Sequence, residues 1–306
     1  MSLAADRLLD RSKLKSEIMK WRSLTIVIAT LLAASVLVKS FDNTKSHHDY
    51  IAYVKIDGII LEDESKDEKL EAIINDKHAK ALVVYINSPG GTMVGGESLY
   101  KTLREISKVK PVVAYMGSVA ASGGYMAAIA ADRIYAMEGT ITGSVGVLLQ
   151  SAEVSELSKK VGVNFITFKS GQLKAVPSPL EKITPEAAAM VNETIKDSFE
   201  TFIGMVKARR PLTEANIANI SSGRIFTGKQ AVKNKLIDAI GGKKEAVEWL
   251  YAEKKLDRKL TLEEINLEDD KEWFGKFYTK IMGGSSYITG SSGRGIMALW
   301  NPALMY

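Results

Sequence analysis

The sequence predicts an α/β fold with a largely parallel sheet. This prediction rests on the alternation of strand-like apolar runs with helical segments from residue 50 onward. Such alternation is typical of parallel sheets covered by helices. The 306-residue chain is 46% hydrophobic, enough for an ordinary core, and it contains no cysteine. An ordinary apolar core is therefore expected, whereas disulfide scaffolds, thiolate zinc sites and cysteine nucleophiles are excluded.

Six apolar runs rich in β-branched and aromatic residues are predicted as strands. They cover residues 50–56, 81–87, 111–116, 133–137, 146–150 and 164–168. Helices are predicted at about 94–106, directly after Ser122 and at 153–161. A longer helix is predicted from Thr184, which can cap it with Pro185 in the first position, to about Arg210. A further helical region follows Thr213.

Positive charge is concentrated at the N-terminus. Six basic and three acidic residues precede residue 24, and they supply three of the five net positive charges. The next run, Leu24 to Val38, carries no charge. Basic residues ahead of an uncharged run are typical of a membrane anchor whose following part lies outside the cytoplasm. Charge in the remainder is nearly balanced, so no nucleic-acid partner is expected.

Five segments follow from these patterns. We predict a basic cytoplasmic segment at 1–23, a transmembrane anchor at 24–40, a tether at 41–49, a folded domain at 50–268 and a flexible Gly/Ser-rich tail at 269–306. At ~1.5 Å per residue the uncharged run spans about 22 Å, less than a ~30 Å hydrocarbon core. A cleaved export signal and a buried helix of a soluble domain are therefore the alternatives to an anchor.

The segment Tyr115 to Met126, YMGSVAASGGYM, places a serine where a strand ends and a helix begins. Small neighbours leave the Ser122 hydroxyl accessible. A sharp strand-to-helix turn exposes the nucleophile of many hydrolases, and the next backbone N–H, here that of Gly123, helps to bind the oxyanion. The alternative is a serine that only caps the helix.

A second glycine-rich turn, NSPGG at 87–91, also follows a predicted strand. Its N–H groups would lie at the carboxyl edge of the sheet, where ligands of open α/β sheets bind. Gly90 and Gly91 are both candidates for a second oxyanion donor. The alternative is an ordinary Pro-Gly turn.

A serine nucleophile needs a base, and the three histidines do not supply one. His47 and His48 lie in the tether and His78 lies just ahead of a strand, so a Ser-His-Asp triad is not expected. Lysine is the remaining candidate.

The loop FKSGQLKAVPSP, residues 168–179, offers Lys169 and Lys174, of which Lys174 has the more apolar neighbours. A lysine must be neutral to accept a proton, and burial in apolar surroundings favours the neutral form. A solvated surface lysine is the alternative at either position.

Five motifs occur in an order that resembles the signal peptide peptidase A family. They are NSPGG, AASGGYMAA, ITGSVGV at 141–147, SGQLK, and SGRIFTGKQA followed by KLIDAIGG within 222–242. The resemblance covers about residues 50–250. It implies a crotonase/Clp-like fold of repeated ββα units and a Ser-Lys dyad serine peptidase with no cofactor and no metal. Matched by motif, the serine is Ser122, the lysine is Lys174, and the oxyanion glycines are Gly91 and Gly123.

The family resemblance also implies a substrate and an assembly. It indicates degradation of signal peptides and other hydrophobic peptides on the outer side of a bacterial inner membrane. The single domain copy resembles the short form, whose members form rings that bring serine and lysine together from adjacent subunits. The lysine loop matches more loosely than the serine motif, so Lys169 stays a competitor.

Three other functions are weighed against this one. A crotonase-type acyl-CoA enzyme would share the fold but lack an anchor and would not need Ser122. In a non-catalytic membrane scaffold the serine would be a turn residue. A Clp-type protease would need a triad histidine, which the sequence does not place.

Overall fold

A computed structural model of the protein describes residues 15, 18–30, 33, 48–267 and 297–299. The chain divides into two compact units, residues 1–48 and 49–306. Residues 18–30 of the first unit are helical. Within the described parts of the chain, no helix combines the length and apolarity needed to cross a bilayer. The predicted anchor at 24–40 and most of the tether extend beyond these residues, so both stay predictions.

The second unit is a mixed α/β structure, as predicted. Its first half contains β1 (Tyr50–Ile60), α1 (Glu64–Asn75), β2 (Ala79–Thr92), α2 (Met93–Val109), β3 (Val112–Ala121), α3 (Gly123–Ala128), β4 (Arg133–Ala136) and β5 (Ile141–Gly143). Its second half contains α4 (Ser155–Lys160), α5 (Pro185–Arg209), α6 (Glu214–Ile220), β6 (Ile225–Thr227), α7 (Gly228–Lys233), β7 (Ala239–Ile240), α8 (Lys243–Ala252), β8 (Thr261–Glu264) and β9 (Met297–Leu299).

The central sheet has the strand order β6-β5-β3-β2-β1-β8. β1, β2 and β3 run parallel, while β6 and β9 join antiparallel to β5 and β2. β3 has two successive neighbours on one side: residues 113–115 pair with β4, and residues 119–121 pair with β5. The end of β3 therefore lies between β2 and β5. From β1 to β4 one strand alternates with one helix, which differs from the predicted two strands per helix.

The apolar core lies on both faces of the sheet, and the larger part surrounds α3. All six residues of α3 are buried, and its Tyr125 hydroxyl donates to the Leu236 carbonyl at 2.9 Å. On the opposite face, Tyr53 and Tyr115 join Ala246 and Leu250 of α8 in a second cluster. Burial of α3 fixes the position of the residue that precedes it, Ser122.

The long helix α5 begins as the sequence predicts. The Thr184 hydroxyl accepts the Ala187 N–H at 3.2 Å, and Pro185 occupies the first turn. Thr213 starts α6 in the same way, with a reciprocal capping box to Asn216. These local signals are confirmed because a cap needs only residues within one turn.

Two predicted strands are wrong. Residues 163–169 form neither helix nor strand, and residues 146–150 form only an isolated bridge at Leu148. The side chains of Phe165, Ile166 and Phe168 are exposed by 51%, 78% and 94%. Strand propensity measures how well a side chain fits a half-buried pleated surface, and among the residues that the structure describes no sheet surface covers these side chains.

Candidate active site

Ser122 occupies a strained turn between β3 and α3. Its φ of 53° and ψ of −118° lie outside the regions that non-glycine residues ordinarily adopt. The Ser122 N–H donates to the Gly143 carbonyl at 2.8 Å, and the Ser122 carbonyl accepts the Met126 N–H at 2.9 Å. These two hydrogen bonds hold the backbone of Ser122 in its strained conformation. Backbone strain of this kind is concentrated at functional sites.

The Ser122 hydroxyl does not cap the helix that follows it. Ser122 is the N-cap residue of α3, yet its side chain makes no capping hydrogen bond there. The residue is only 1% exposed, so the prediction of an accessible hydroxyl is wrong for the single chain, because the close packing of α3 on β2 buries the turn. Thr92, Thr184 and Thr213 all accept such bonds at the starts of their helices. The capping alternative therefore does not explain this serine.

Glycine is required around the turn because backbone segments approach closely. A Cβ atom on Gly124 would lie 2.6 Å from the Ser88 carbonyl oxygen, and one on Gly96 would lie 3.4 Å from the Gly123 Cα. α3 therefore packs directly on β2 and on the first turn of α2. An alanine at position 124 would therefore have to displace the turn that contains Ser122.

The second glycine-rich turn belongs to β2 and lies beside the Ser122 turn. Ser88 pairs with Ala120 of β3. The Gly90 N–H donates to the Ser88 hydroxyl at 3.1 Å, and Gly90 has a φ of 113°. The Gly90 N–H thus has an acceptor, while Gly91 is paired with Ile60 of β1 and Ala298 of β9, so the choice of oxyanion donor stays a prediction. A Cβ on Gly91 would lie 1.6 Å from the Ile60 carbonyl oxygen, so only glycine fits there.

The edge of β2 at Gly90 to Thr92 accepts an extended chain. β9 pairs with it antiparallel, with Leu299 opposite Gly90 and Met297 opposite Thr92. β9 lies within the predicted flexible tail at 269–306, most of which is outside the described residues. The pairing establishes that a peptide backbone can lie along this edge beside the glycine turn.

Lys169 and Lys174 lie in different environments. Lys169 is 13% exposed at its side chain and forms an ion pair with Glu181, and this hydrogen bond lowers the pKa of Glu181. Lys174 is exposed, and in the described part of this single chain its side chain makes no hydrogen bond or ion pair. Ser122 and Lys174 are thus not joined here. The pairing of Lys169 favours Lys174 as the available base.

Residues that the sequence analysis assigned no role also position the turn. Asn87 connects three strands: its Oδ1 accepts the Val119 N–H at 3.3 Å, and its Nδ2 donates to Asp57 at 3.2 Å. Ser144 follows the carbonyl that holds Ser122, and it has a φ of 52°. The segments NSPGG and ITGSVGV contain these residues, but their spacing gives no signal for such contacts.

Comparison with known proteins identifies the chain's relatives. The model of peptidase family S49 matches residues 104–257, and a Clp protease model matches residues 43–148. A putative protease of Synechocystis sp. is 36% identical over 241 residues, which are 78% of this chain and 84% of that protein. A putative signal peptide peptidase SppA of Enterococcus faecium is 35% identical over 65% of this chain and 58% of its own length.

A third relative is longer than this chain. The chloroplastic serine protease SPPA of Arabidopsis thaliana is 32% identical over 65% of this chain but only 30% of its own length. The two family models match residues 104–257 and 43–148, and both ranges contain the Ser122 turn.

Proposed function

This chain belongs to peptidase family S49 and is a serine-type peptidase, and we propose that Ser122 is its nucleophile and Lys174 its general base. The observation that carries this proposal is the strained Ser122 turn, whose hydroxyl makes no capping bond and whose following residues pack on Ser88 of β2. Membership in a peptidase family argues against the acyl-CoA alternative. A non-catalytic scaffold is an outcome of the test below.

The proposed chemistry is acyl transfer. Neutral Lys174 takes the proton of the Ser122 hydroxyl while its oxygen attacks the scissile carbonyl carbon. The Gly91 and Gly123 N–H groups donate to the oxyanion of the tetrahedral intermediate. The lysine ammonium then gives its proton to the leaving amine as the C–N bond breaks, which leaves an acyl ester on Ser122.

Deacylation reverses these roles. Lys174 removes a proton from water, the hydroxide attacks the ester carbon, and the C–O bond to Ser122 breaks as the serine regains its proton. Each turnover consumes one water and returns Ser122 and Lys174 to their starting states.

We propose that the base is supplied by a second copy of the chain. Lys174 is exposed and has no partner within the described residues of one copy. Proton acceptance at neutral pH requires apolar burial of the amine, which a neighbouring subunit can provide. A homo-oligomeric ring meets this need at every subunit.

The proposed substrates are signal peptides and other hydrophobic peptides. Their extended backbone would lie along the edge of β2 at Gly90 to Thr92, where β9 pairs. A bacterial inner membrane location, with segment 24–40 as anchor and the peptidase domain on the outer side, is part of the proposal. It rests on the uncharged run and its basic flank.

The test is cleavage of a quenched fluorescent hydrophobic peptide by the full chain in detergent. Ser122→Ala and Lys174→Ala are expected to abolish turnover without changing oligomer size, while Lys169→Ala retains it. Mixing the two inactive variants under subunit exchange should restore about a quarter of the activity, if serine and lysine come from adjacent copies of a ring. Turnover by Ser122→Ala would show that the assignment of the nucleophile is wrong.

A further inference from the structure

A cavity separate from the Ser122 turn lies at the carboxyl end of β1, between α1 and α2. We call it the β1-end cavity. Its volume is about 520 Å³, and its apolar lining includes Ile56, Ile59, Ile60, Leu61, Leu99 and Leu267. Ile59 is 56% and Leu61 39% exposed, so apolar surface reaches the cavity mouth.

Each charged side chain around the β1-end cavity has a polar partner on the same chain, including Asp57, which accepts a hydrogen bond from the Asn87 amide at 3.2 Å. Lys55 lies 2.7 Å from Glu264, and Lys66 lies 3.0 Å from Asp63. The Ser98 hydroxyl donates to Asp67 at 2.5 Å. A charged ligand would have to displace these partners, whereas an apolar one would not. The cavity is thus suited to large apolar side chains.

The same chain carries exposed apolar side chains on a different segment. Residues 163–168, which we call the aromatic segment, contain Phe165, Ile166 and Phe168, and Phe168 is 94% exposed. The segment has no helical or strand structure of its own. Four of its six residues are apolar and exposed, and exposed apolar surface of this kind marks an interaction site.

We propose that the aromatic segment of one copy inserts into the β1-end cavity of the next copy. The insertion is the contact by which neighbouring copies assemble. Only its role in bringing Lys174 to the neighbour's Ser122 rests on the proposed function. Segment and cavity are different surfaces of one chain, so the contact is heterologous. Repetition of a heterologous contact closes into a ring when the rotation allows it.

The position of the cavity fits the delivery of Lys174. Gly95 of α2 packs against the Leu61 backbone, and the adjacent Gly96 packs against Gly123. With ~3.8 Å between consecutive Cα atoms, these contacts put Leu61 within roughly 18 Å of Ser122. Lys174 lies six positions after Phe168, a distance that spans at most about 20 Å. Phe168 seated at Leu61 therefore leaves Lys174 within range of the neighbour's serine.

The absence of cysteine from the sequence allows a direct test by cross-linking. The full chain carrying both Phe168→Cys and Leu61→Cys is oxidised, and a parallel sample is treated with a short bismaleimide. We expect a ladder of covalently joined copies that ends at the ring size. Either single-cysteine variant should give dimers at most.

The matched control pairs Phe168→Cys with Val109→Cys. Val109 is 60% exposed, but it lies at the far end of α2 from Gly95. If this pair cross-links as efficiently as the Leu61 pair, or if the Leu61 pair gives only dimers, the proposed docking is wrong.

A charge substitution separates this inference from the peptidase assignment. Phe168→Asp is expected to lower the sedimentation mass from that of the ring toward that of the monomer and to lower the turnover at least tenfold, whereas Val109→Asp changes neither. If Ser122→Ala abolishes turnover but no ladder forms, only the docking inference fails. If the ladder forms while Ser122→Ala still cleaves, the interface stands and the nucleophile assignment fails.

Discussion

Adding one methyl group at Gly124 should impair catalysis more than folding. A Cβ there would lie 2.6 Å from the Ser88 carbonyl oxygen and 3.2 Å from the Ser88 Cβ. An ordinary carbon–oxygen contact is at least about 3.3 Å, so Gly124→Ala must separate the start of α3 from β2 by roughly 0.7 Å. Overpacking of this size costs about 1–3 kcal/mol of folding free energy.

The same displacement moves the proposed oxyanion donors apart, because Gly123 precedes Gly124 and Gly91 lies on the strand of Ser88. Misplacement of catalytic groups by about 1 Å costs up to 10²-fold in rate. We expect Gly124→Ala to lower kcat/KM for the fluorescent peptide by about 30–100-fold. Its free energy of unfolding, measured in urea, should fall by no more than about 3 kcal/mol.

Gly204→Ala is the matched control, since Gly204 is exposed on α5 and a Cβ there meets no atom within 4 Å. It should raise the free energy of unfolding by about 0.5–1 kcal/mol and leave kcat/KM unchanged. A Gly124→Ala enzyme with kcat/KM within threefold of the original chain would refute the proposal that this packing sets the oxyanion geometry.

Three further predictions follow from other contacts. Burial raises the pKa of Tyr125, so the stability that its neutral phenol contributes is present below about pH 10 and is lost as the pH rises further. Tyr125→Phe should lower the free energy of unfolding by about 1–3 kcal/mol at pH 7, because the Leu236 carbonyl loses its donor. In urea unfolding, the stability of this variant should decline less steeply at alkaline pH. Lys169 lowers the pKa of Glu181, so Glu181→Gln should destabilise the chain above about pH 4.5, and the difference from the original chain should vanish in acid. The control is Glu248→Gln, which removes the partner of exposed Arg258 and should change the urea midpoint less. Ending the chain at residue 290 removes β9, which would otherwise compete with substrate for the Gly90 to Thr92 edge. Peptide titrations should therefore show a KM lowered severalfold with kcat unchanged, whereas an unchanged KM would show that β9 does not compete with substrate.

Elements whose signals are local could be predicted from the sequence. The strands of the central sheet are continuous apolar runs buried on both faces, and α5 begins at a threonine cap followed by proline. Ser122 could also be identified, because the small residues that flank it are adjacent in the sequence. Its backbone strain and lack of a capping bond were not, since both depend on where Gly143 and α3 lie.

Features that depend on distant partners were not predictable. β5 and β6 are three residues each and exist because they pair with β3 and with each other. The runs at 146–150 and 164–168 have strand composition but lack a strand neighbour within the described residues of one chain. The choice between Lys169 and Lys174 needed the position of Glu181, twelve residues beyond Lys169. In the proposed assembly, a second copy supplies the burial that a lysine base requires.

The most direct measurement of the central claim is acylation by a serine-directed probe, located by peptide mass spectrometry. We expect a single probe molecule attached to Ser122 in the full chain and no attachment in Ser122→Ala. Labelling should be slowed at least 100-fold in Lys174→Ala but not in Lys169→Ala. Modification of another serine, or labelling of Lys174→Ala at the original rate, would contradict the Ser122–Lys174 dyad.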